Sequence, residues 1–477
     1  MVQSLATRVT AFASQLVLAW LLVPADFGLI GLAYTVTTLV NTVVNFGLDD
    51  VLLQRQRSMH LWSSMAVWLS FGFGLFGMAV LFVAAPIFQA LYHVPGLGGL
   101  IAVLALAMPI GALATVPMVL LRAALNFRFL AGWGAFELMA TQALAILLAW
   151  RGFGAYAFAI PAPLLALLRV IVFWRVAPAR VTRRLRLRRA RFLLGNGTLV
   201  LGNRVLTELV GQGDYITLGV MATQSVVGIY YFAFRLAAQP VRMLAGNFQS
   251  VIFPALVRLG DDPQRQGRAA IDASLMLAYL VMPLCFLQAA VAEPLVHVVF
   301  NHKWTGAVPL IQALSVGLPF DAVSWIAGAL LHARGAFWRS FVFSAVAAPV
   351  FFALVAVGAW RGAAEGVAIG VALFYLTVPT FYSWRIFTGY GVSPRSIARV
   401  YLAPTLLAGA SMGGAYLLSL APVWTAQPIL RLAVIGAVGP ALYIAAIWLL
   451  DRPAFVQIVR HVGLDRAWRR MRLQLAG

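Results

Sequence analysis

The sequence predicts an all-α polytopic membrane protein with about 14 transmembrane helices. Hydrophobic residues make up 62% of the 477 residues and charged residues only 10%, whereas a soluble domain typically carries about a quarter charged residues. A chain this apolar must use lipid as its solvent, and its apolar runs are long enough for spanning helices of about 20 residues. Membrane β-barrels instead alternate apolar and polar residues over short strands.

The apolar segments follow one another along the whole chain. They lie at about residues 8–23, 28–48, 62–85, 97–121, 131–150, 153–174, 193–220, 225–250, 272–292, 307–331, 339–359, 363–386, 397–419 and 429–450. The first segment can act as its own membrane anchor, so no cleaved signal peptide is needed. The even number of segments predicts that both termini lie on the same side of the membrane.

The basic residues indicate which side that is. If the N-terminus is cytoplasmic, 27 of the 35 Lys and Arg residues lie in cytoplasmic loops and tails, and four lie outside. Such residues concentrate in cytoplasmic loops, so both termini are predicted to be cytoplasmic, in a bacterial inner membrane. This bias explains the net charge of +21 without nucleic acid. The dense basic run at 175–191 is expected to contact anionic membrane lipids.

That basic run also divides the chain. The predicted parts are an N-lobe of six helices (1–175), a basic cytoplasmic linker (176–192), a C-lobe of six helices (193–387), two added helices (388–450) and a basic cytoplasmic tail (451–477). A weak internal repeat pairs FGLIGLAY (27–34) with VGIYYFAF (227–234), and Gly28 with Gly228. Both lobes start in the same orientation, so we expect a pseudo-two-fold axis along the membrane normal and a cavity between the lobes.

Ionisable side chains inside membrane segments are costly and are candidates for function. Arg204 and Glu208 are four residues apart and share one helix face, so they either neutralise each other or line a wet cavity. Arg169 and Arg242 lie near cytoplasmic helix ends and are interpreted as snorkelling to the interface. The candidates for ion coupling are Glu208, Asp214, Glu137 and Asp321.

Arginine in such a cavity indicates an anionic ligand. A guanidinium binds a diphosphate through planar, bidentate hydrogen bonds, whereas a site for cationic drugs would carry net negative charge. Polar aromatic and amide side chains suit sugars, although Tyr also marks membrane interfaces in general. The candidates for substrate binding are Arg204, Arg235, Arg122, Tyr215 and Gln239.

The sequence shows no catalytic constellation. The external residues His93, His297 and His302 lack metal-ligand spacing, and no GxxxxGK[ST] motif for ATP occurs. Cys285 is the single cysteine, which excludes an internal disulfide. We therefore expect no enzyme activity, no metal and no cofactor. Energy is expected from a proton or sodium gradient, the membrane potential or downhill consumption of the substrate.

Four ordered phrases resemble the polysaccharide flippases of the multidrug/oligosaccharidyl-lipid/polysaccharide exporter superfamily. The phrases are LLVPADFGLIGLAYTVTTLVNTVVNFGLDDVLLQR (21–55), GDYITLGVMATQSVVGIYYFAFRLAAQP (213–240), FPALVRLGDDPQRQGRAA (253–270) and VFNHKWTGAVPLIQALSVGLP (299–319). The resemblance implies a central cationic cavity, alternating access and an undecaprenyl-pyrophosphate-linked repeat unit as substrate, moved for exopolysaccharide or O-antigen synthesis. A polysaccharide polymerase is an implied candidate partner.

The resemblance assigns matching positions to Asp214, Arg235 and Glu137. This chain departs from the family where Trp20 replaces a common arginine and where Asp49 and Asp50 replace small residues. These departures disfavour a site built on the first helix and favour the seventh and eighth segments.

Other functions remain open at this point. They are a peptidoglycan-precursor (lipid II) flippase, a cationic-drug or ion antiporter, a passive scaffold and a membrane-embedded glycosyltransferase or polymerase. Such an enzyme would be expected to carry a large external loop, whereas the longest external segments here, about 86–96 and 293–306, are short and carry little charge.

Overall fold

The computed structural model is helical through nearly all of the chain that it describes. It describes residues 13–44, 59–179, 198–260, 262–300, 302–425 and 427–461, with Leu52 and Val181, and no strand occurs among them. The predicted all-α polytopic fold is confirmed. Most of the basic run, the tail beyond residue 461 and the pair Asp49 and Asp50 lie outside the described residues.

The helices are labelled in chain order. They are α1 (13–21), α2 (Pro24–Val44), α3 (Met59–Tyr92), α4 (Leu97–Ala112), α5 (Thr115–Ala123), α6 (Phe127–Trp150), α7 (Tyr156–Ala159), α8 (Pro161–Val176), α9 (Thr198–Met221), α10 (Gln224–Ala237), α11 (Gln239–Arg258), α12 (Pro263–Val299), α13 (Ala307–Gly317), α14 (Pro319–Ala333), α15 (Phe337–Gly389), α16 (Pro394–Ser419), α17 (Pro422–Thr425), α18 (Pro428–Leu450) and α19 (Arg452–His461).

Many of these helices are membrane spans by length and composition. Among the described residues, nine helical stretches are long and apolar enough to cross a membrane, or ten when the bent pair α4 and α5 counts as one span. The number 14 remains a prediction, in part because α1 is described only from residue 13.

Helix α15 accounts for two of the predicted segments. Its 53 residues would extend about 80 Å if straight, far more than the roughly 30 Å of a bilayer's hydrocarbon core. The backbone leaves helical geometry at Gly362 and at Ala363, which has φ 45°. Next to this kink, Gly358 and Gly366 touch so closely that a Cβ on either would overlap the other's carbonyl oxygen. The break falls where the sequence predicts one segment to end and the next to begin.

Two compact units make up the chain. One is Met1–Phe232 with Phe341–Val367, and the other is Ala233–Ser340 with Ala368–Gly477. Helix α9 packs against α2 and belongs to the first unit. These units are defined by contacts between residues, whereas the two six-helix lobes were predicted from the order of the segments along the chain. The lobes therefore stay a prediction.

In the first unit, α2 and α10 cross with their backbones in contact. A Cβ on Gly28 would overlap the carbonyl oxygen of Gln224, and a Cβ on Gly228 would overlap that of Pro24. The Gln224 side chain secures the crossing by donating a 2.8 Å hydrogen bond to the carbonyl of Ala25. The two glycines paired by the internal repeat therefore meet where no larger residue fits.

In the second unit, α12 is the helix on which the last two spans dock. Helices α16 and α18 both pack along it, and Tyr443 Oη donates a 2.9 Å hydrogen bond to the Tyr279 carbonyl. Asp451, just after α18, accepts hydrogen bonds from Tyr279 Oη at 2.6 Å and from Arg399 Nη2 at 2.7 Å. Burial raises the pKa of this carboxyl, but these donors outweigh burial and hold the pKa below its ordinary value.

Candidate functional site: a charged cavity in the first unit

A cavity of about 720 Å³ lies among helices of the first unit. Its walls come from α2 to α9, and they mix apolar with polar and charged side chains. Helix α2 contributes Tyr34, Thr37, Thr38 and Asn41. The charged residues in the wall are Glu137, Arg169 and Arg204.

One wall of the cavity is a broken helix. The sequence predicts one segment over 97–121, but α4 ends at Ala112 and α5 starts at Thr115, bent by 46°. The break leaves backbone groups without helical partners, and Trp174 Nε1 satisfies one by donating a 2.9 Å hydrogen bond to the Leu113 carbonyl. Non-helical backbone at membrane depth is tolerated where it is buried in protein or lines a cavity.

Glu137 and Arg169 form an ion pair in the cavity wall. Arg169 Nη1 lies 3.2 Å from Glu137 Oε1, and the two side chains are 31% and 26% exposed. Trp133 Nε1 donates a 2.8 Å hydrogen bond to the other carboxylate oxygen. Each Glu137 oxygen therefore has a donor, which fixes the carboxylate between α6 and α8.

The pocket leaves space for the guanidinium but does not satisfy all of its donors. A Cβ on Gly111, next to the helix break, would lie 3.2 Å from Arg169 Nη2, so a small residue there makes room. Arg169 Nε is buried and has no hydrogen-bond partner among the described residues, and the same is true of Ser70 Oγ. Buried polar groups are normally paired, so two residues of one cavity wall retain hydrogen-bonding capacity.

The interpretation of Arg169 as a snorkelling residue is wrong. Its guanidinium contacts Glu137 on another helix instead of reaching the end of its own. The sequence did carry a signal for this pair, because Glu137 is ten residues from the start of α6 and Arg169 is seven from the end of α8. Because consecutive spans run in opposite directions, the start of α6 and the end of α8 lie on the same side of the membrane. Glu137 and Arg169 are then about 15 and 10 Å from that side, at similar depths. Ser70 carried no such signal.

Arg204 lines the same cavity from α9, and its role in substrate binding stays a prediction. Glu208, one turn further along, accepts a 3.0 Å hydrogen bond from Gln212 Nε2. Gln212 in turn accepts a 3.2 Å hydrogen bond from Thr35 Oγ1 on α2. Glu208 thus belongs to a polar chain that links α9 to α2, beside the cavity wall and not among its lining residues.

Asp214 and Tyr215 lie deeper in the packing of the first unit. Asp214 is 1% exposed, and Tyr230 Oη donates a 2.7 Å hydrogen bond to its Oδ2. The Tyr215 ring packs edge-on against Tyr230, with 5.5 Å between ring centroids, and against Tyr231, at 5.8 Å. Neither Asp214 nor Tyr215 is among the residues that line the cavity.

The remaining candidates lie elsewhere. Arg122 is in the last turn of α5, where its Nη2 contacts the sulfur of Met118, a lining residue, at 3.8 Å. Arg235 and Gln239 belong to the second unit, half-buried and exposed respectively. Asp321, also in that unit, accepts hydrogen bonds from Ser324 Oγ at 2.7 Å and Trp325 Nε1 at 2.9 Å.

The side chains that line the cavity determine which kind of ligand it can bind. Two guanidinium groups and one carboxylate give its wall a net positive charge, and threonine, tyrosine and asparagine add neutral hydrogen-bonding groups. Among the described residues, no group of three or more His, Cys, Asp or Glu side chains could hold a metal ion. The arrangement suits a polar, anionic ligand.

Comparison with known protein sequences places the chain in a family. Residues 17–309 match the family described as "Polysaccharide biosynthesis protein". The chain is 26% identical over 458 residues to the succinoglycan biosynthesis transport protein ExoT of Rhizobium meliloti (strain 1021). This alignment covers 91% of this chain and 88% of the relative. It is 22% identical over 367 residues to the lipopolysaccharide biosynthesis protein WzxC of Escherichia coli (strain K12), covering 75% and 73%.

Solved structures share the fold at low sequence identity. The inward closed conformation of the lipid II flippase MurJ superposes with a TM-score of 0.73 at 12% identity, over 94% of this chain and 99% of that one. An inward-facing multidrug resistance transporter of the MATE family gives 0.61 at 14% identity, over 80% and 94%. These matches confirm the resemblance drawn from the sequence. With more than half of its length matched, the chain belongs to the polysaccharide biosynthesis protein family of membrane transporters.

Proposed function

We propose that this chain flips an undecaprenyl-pyrophosphate-linked oligosaccharide repeat unit from the inner to the outer leaflet of a bacterial inner membrane. The product would serve exopolysaccharide or O-antigen synthesis, and the cycle would be alternating access through a central cationic cavity. The observation that carries the proposal is the cavity within the first unit, with Arg169, Arg204 and Glu137 in its wall. The sequence relatives named for polysaccharide biosynthesis support the same substrate class.

The charge balance of the cavity separates this substrate from a cationic drug. A pyrophosphate diester carries two negative charges that guanidinium groups bind in bidentate fashion, whereas a cationic drug would meet net positive charge. The hydroxyl and amide groups of α2, such as Thr38 and Asn41, line the same space and offer hydrogen bonds to sugar hydroxyls.

The position of the cavity suits loading from the cytoplasmic leaflet. In the predicted topology, the C-terminal half of α2 and the end of α8 adjoin cytoplasmic loops. Thr38, Asn41 and Arg169 lie in these parts of the two helices. Coupling to protons or sodium ions would use Glu137, Glu208, Asp214 or Asp321.

The test is a strain that lacks this protein. Its lipid-linked intermediates are extracted and assayed for a polyprenyl-pyrophosphate oligosaccharide on the cytoplasmic leaflet. The proposal predicts accumulation there, loss of surface polymer, and rescue by the wild type but not by Arg204→Ala. Normal intermediates with normal polymer would refute it, and accumulation of the peptidoglycan precursor instead would assign the lipid II function.

A further inference from the structure

In the second unit, the turn from α14 into α15 is closed by its own backbone. The Gly335 N–H donates a 3.0 Å hydrogen bond to the His332 carbonyl, and the Ala336 N–H donates one of 3.1 Å to the Leu331 carbonyl. With Gly335 at φ 67°, these bonds form a Schellman motif, which satisfies carbonyls at the end of α14. The side chain of Arg334, the last residue before that glycine, is therefore not needed to end the helix.

Two neighbouring side chains hold the guanidinium of Arg334 instead. Its Nε donates a 2.9 Å hydrogen bond to Gln266 Oε1 on α12, and its Cζ lies 5.0 Å from the centre of the Tyr390 ring. Gln266 is 2% exposed, and its Nε2 donates a 2.9 Å hydrogen bond to the Leu256 carbonyl. Because the amide that holds Arg334 is itself fixed, the guanidinium has little side-chain freedom left to lose when it binds a ligand.

The outer edge of this guanidinium is available to such a ligand. Arg334 is exposed, and neither of its terminal nitrogens has a hydrogen-bond partner among the described residues. Arg339 lies near enough to act on the same tyrosine: burial raises the pKa of Tyr390, and the charges of Arg334 and Arg339 both oppose that rise.

The two arginines also keep their charge for a ligand. In the part of the chain that the structure describes, neither of them forms an ion pair with a carboxylate. A guanidinium binds a phosphate through two parallel hydrogen bonds. An oriented guanidinium with a free edge, and a second positive charge nearby, therefore suits a phosphate group.

The surroundings of the two arginines favour a phosphate that belongs to a lipid. Phe337 and Trp338, at the start of α15, are 41% and 60% exposed, and Trp is enriched at membrane interfaces. In the predicted topology, this turn lies at the cytoplasmic end of two spans, beside a leaflet that carries anionic lipids. Exposed apolar side chains next to a phosphate-binding edge match the acyl chains and the headgroup of one lipid.

We propose that Arg334 and Arg339 bind the phosphate of an anionic phospholipid of the cytoplasmic leaflet, with Gln266 as the residue that positions Arg334. The site belongs to the second unit and shares no residue with the lining of the cavity. It goes beyond the proposed function, because it holds whichever molecule the cavity carries. The bound lipid stabilises the folded chain, as does any ligand that binds only the folded state.

The test is lipid binding to the purified full-length protein after its bound lipid has been removed. Native mass spectrometry in detergent measures the affinities for phosphatidylglycerol, which is anionic, and for phosphatidylcholine, which carries no net charge. Arg334→Gln should weaken the binding of phosphatidylglycerol roughly tenfold and change that of phosphatidylcholine little. Arg334→Lys keeps the charge but loses both the forked edge and the hydrogen bond to Gln266, so it should also bind phosphatidylglycerol more weakly.

Arg395→Gln is the matched control. Arg395 is exposed in the first turn of α16, in a loop that is also predicted to be cytoplasmic, and no side chain among the described residues holds its guanidinium. Its substitution removes the same charge and should leave the affinity for phosphatidylglycerol unchanged. Should Arg334→Gln fail to fold, Arg339→Gln leaves the contacts of Arg334 in place and should still weaken the binding of phosphatidylglycerol.

Thermal unfolding separates a lipid site from a contact that only joins helices. Phosphatidylglycerol should raise the unfolding midpoint of the wild type and of Arg395→Gln more than that of Arg334→Gln. A midpoint of Arg334→Gln that is lowered equally with and without this lipid would overturn the proposal, because the arginine would then only join helices.

Two other results would count against the site. Equal losses of affinity in Arg334→Gln and Arg395→Gln would overturn it, since general surface charge would then explain the binding. Inorganic phosphate that raises the midpoint of the wild type as much as phosphatidylglycerol does would overturn the assignment to a lipid.

Discussion

Replacing Gly228 by alanine tests the close crossing of α2 and α10 that positions one wall of the cavity. The new methyl group would overlap the carbonyl oxygen of Pro24, and this obstacle is backbone rather than a flexible side chain, so the helices must separate. Overpacking of this kind typically costs about 1–3 kcal/mol. Because the obstacle is backbone, the upper end of that range applies; alanine recovers up to about 1 kcal/mol of helix propensity, which leaves a net loss of about 2 kcal/mol.

Gly211 provides the control for this substitution. It lies in α9 with no neighbouring atom within 4 Å of an added Cβ, so Gly211→Ala should be neutral or stabilising by up to about 1 kcal/mol. Thermal unfolding of the purified variants in detergent, followed by tryptophan fluorescence, gives the comparison. Equal unfolding midpoints for Gly228→Ala and Gly211→Ala would refute the crossing.

The double variant sharpens the same test. Gly28→Ala meets the carbonyl oxygen of Gln224 at the same crossing. Because one separation of the helices relieves both overlaps, the combined loss of stability should be smaller than the sum of the single losses. A strictly additive loss would mean that the two methyl groups act at independent places.

Three further predictions concern single side chains. Gly111→Ala brings a methyl group to 3.2 Å from the cavity guanidinium and should lower transport in a complementation assay, whereas Gly132→Ala, in open space, should not. The pKa of Asp451 is held below its ordinary value, so its carboxylate stabilises the fold above the unfolded pKa of about 3.9, and this stability is lost as the pH falls through the folded pKa. Asp451→Asn should therefore flatten the acid limb of a plot of stability against pH. An unchanged acid limb would contradict the assignment. Tyr230→Phe removes the 2.7 Å donor to buried Asp214 and should cost about 1–3 kcal/mol, measured by the same unfolding assay; no loss would show that the carboxylate finds another donor.

Hydropathy predicted the spans well because the bilayer imposes one strong constraint, an apolar run of helical backbone. The break inside α15 fell between two predicted segments for this reason. The breaks after α4, α10 and α13 were missed because the apolar run continues through them. Proline at the start of the following helix, as at Pro240 and Pro319, was the available signal.

The candidate site was predictable in part. Glu137 and Arg204 were singled out because charge inside a membrane segment is costly, and both line the cavity. Depth along a helix cannot tell a side chain that snorkels from one that pairs with a neighbouring helix, and for this reason Arg169 was misread. Ser70 could not be predicted as a site residue, because a hydroxyl indicates a site only when the packing around it leaves it without a hydrogen-bond partner.

The most direct measurement of the central claim is translocation in reconstituted vesicles. The purified chain is placed in liposomes that hold a polyprenyl-pyrophosphate oligosaccharide, and the leaflet of the sugar is followed with an enzyme that modifies only exposed sugars. The account predicts that the wild type moves the lipid between leaflets and that Arg169→Ala and Arg204→Ala lose most of this activity. Vesicles with the wild type that behave like empty liposomes, or arginine variants as active as the wild type, would contradict it.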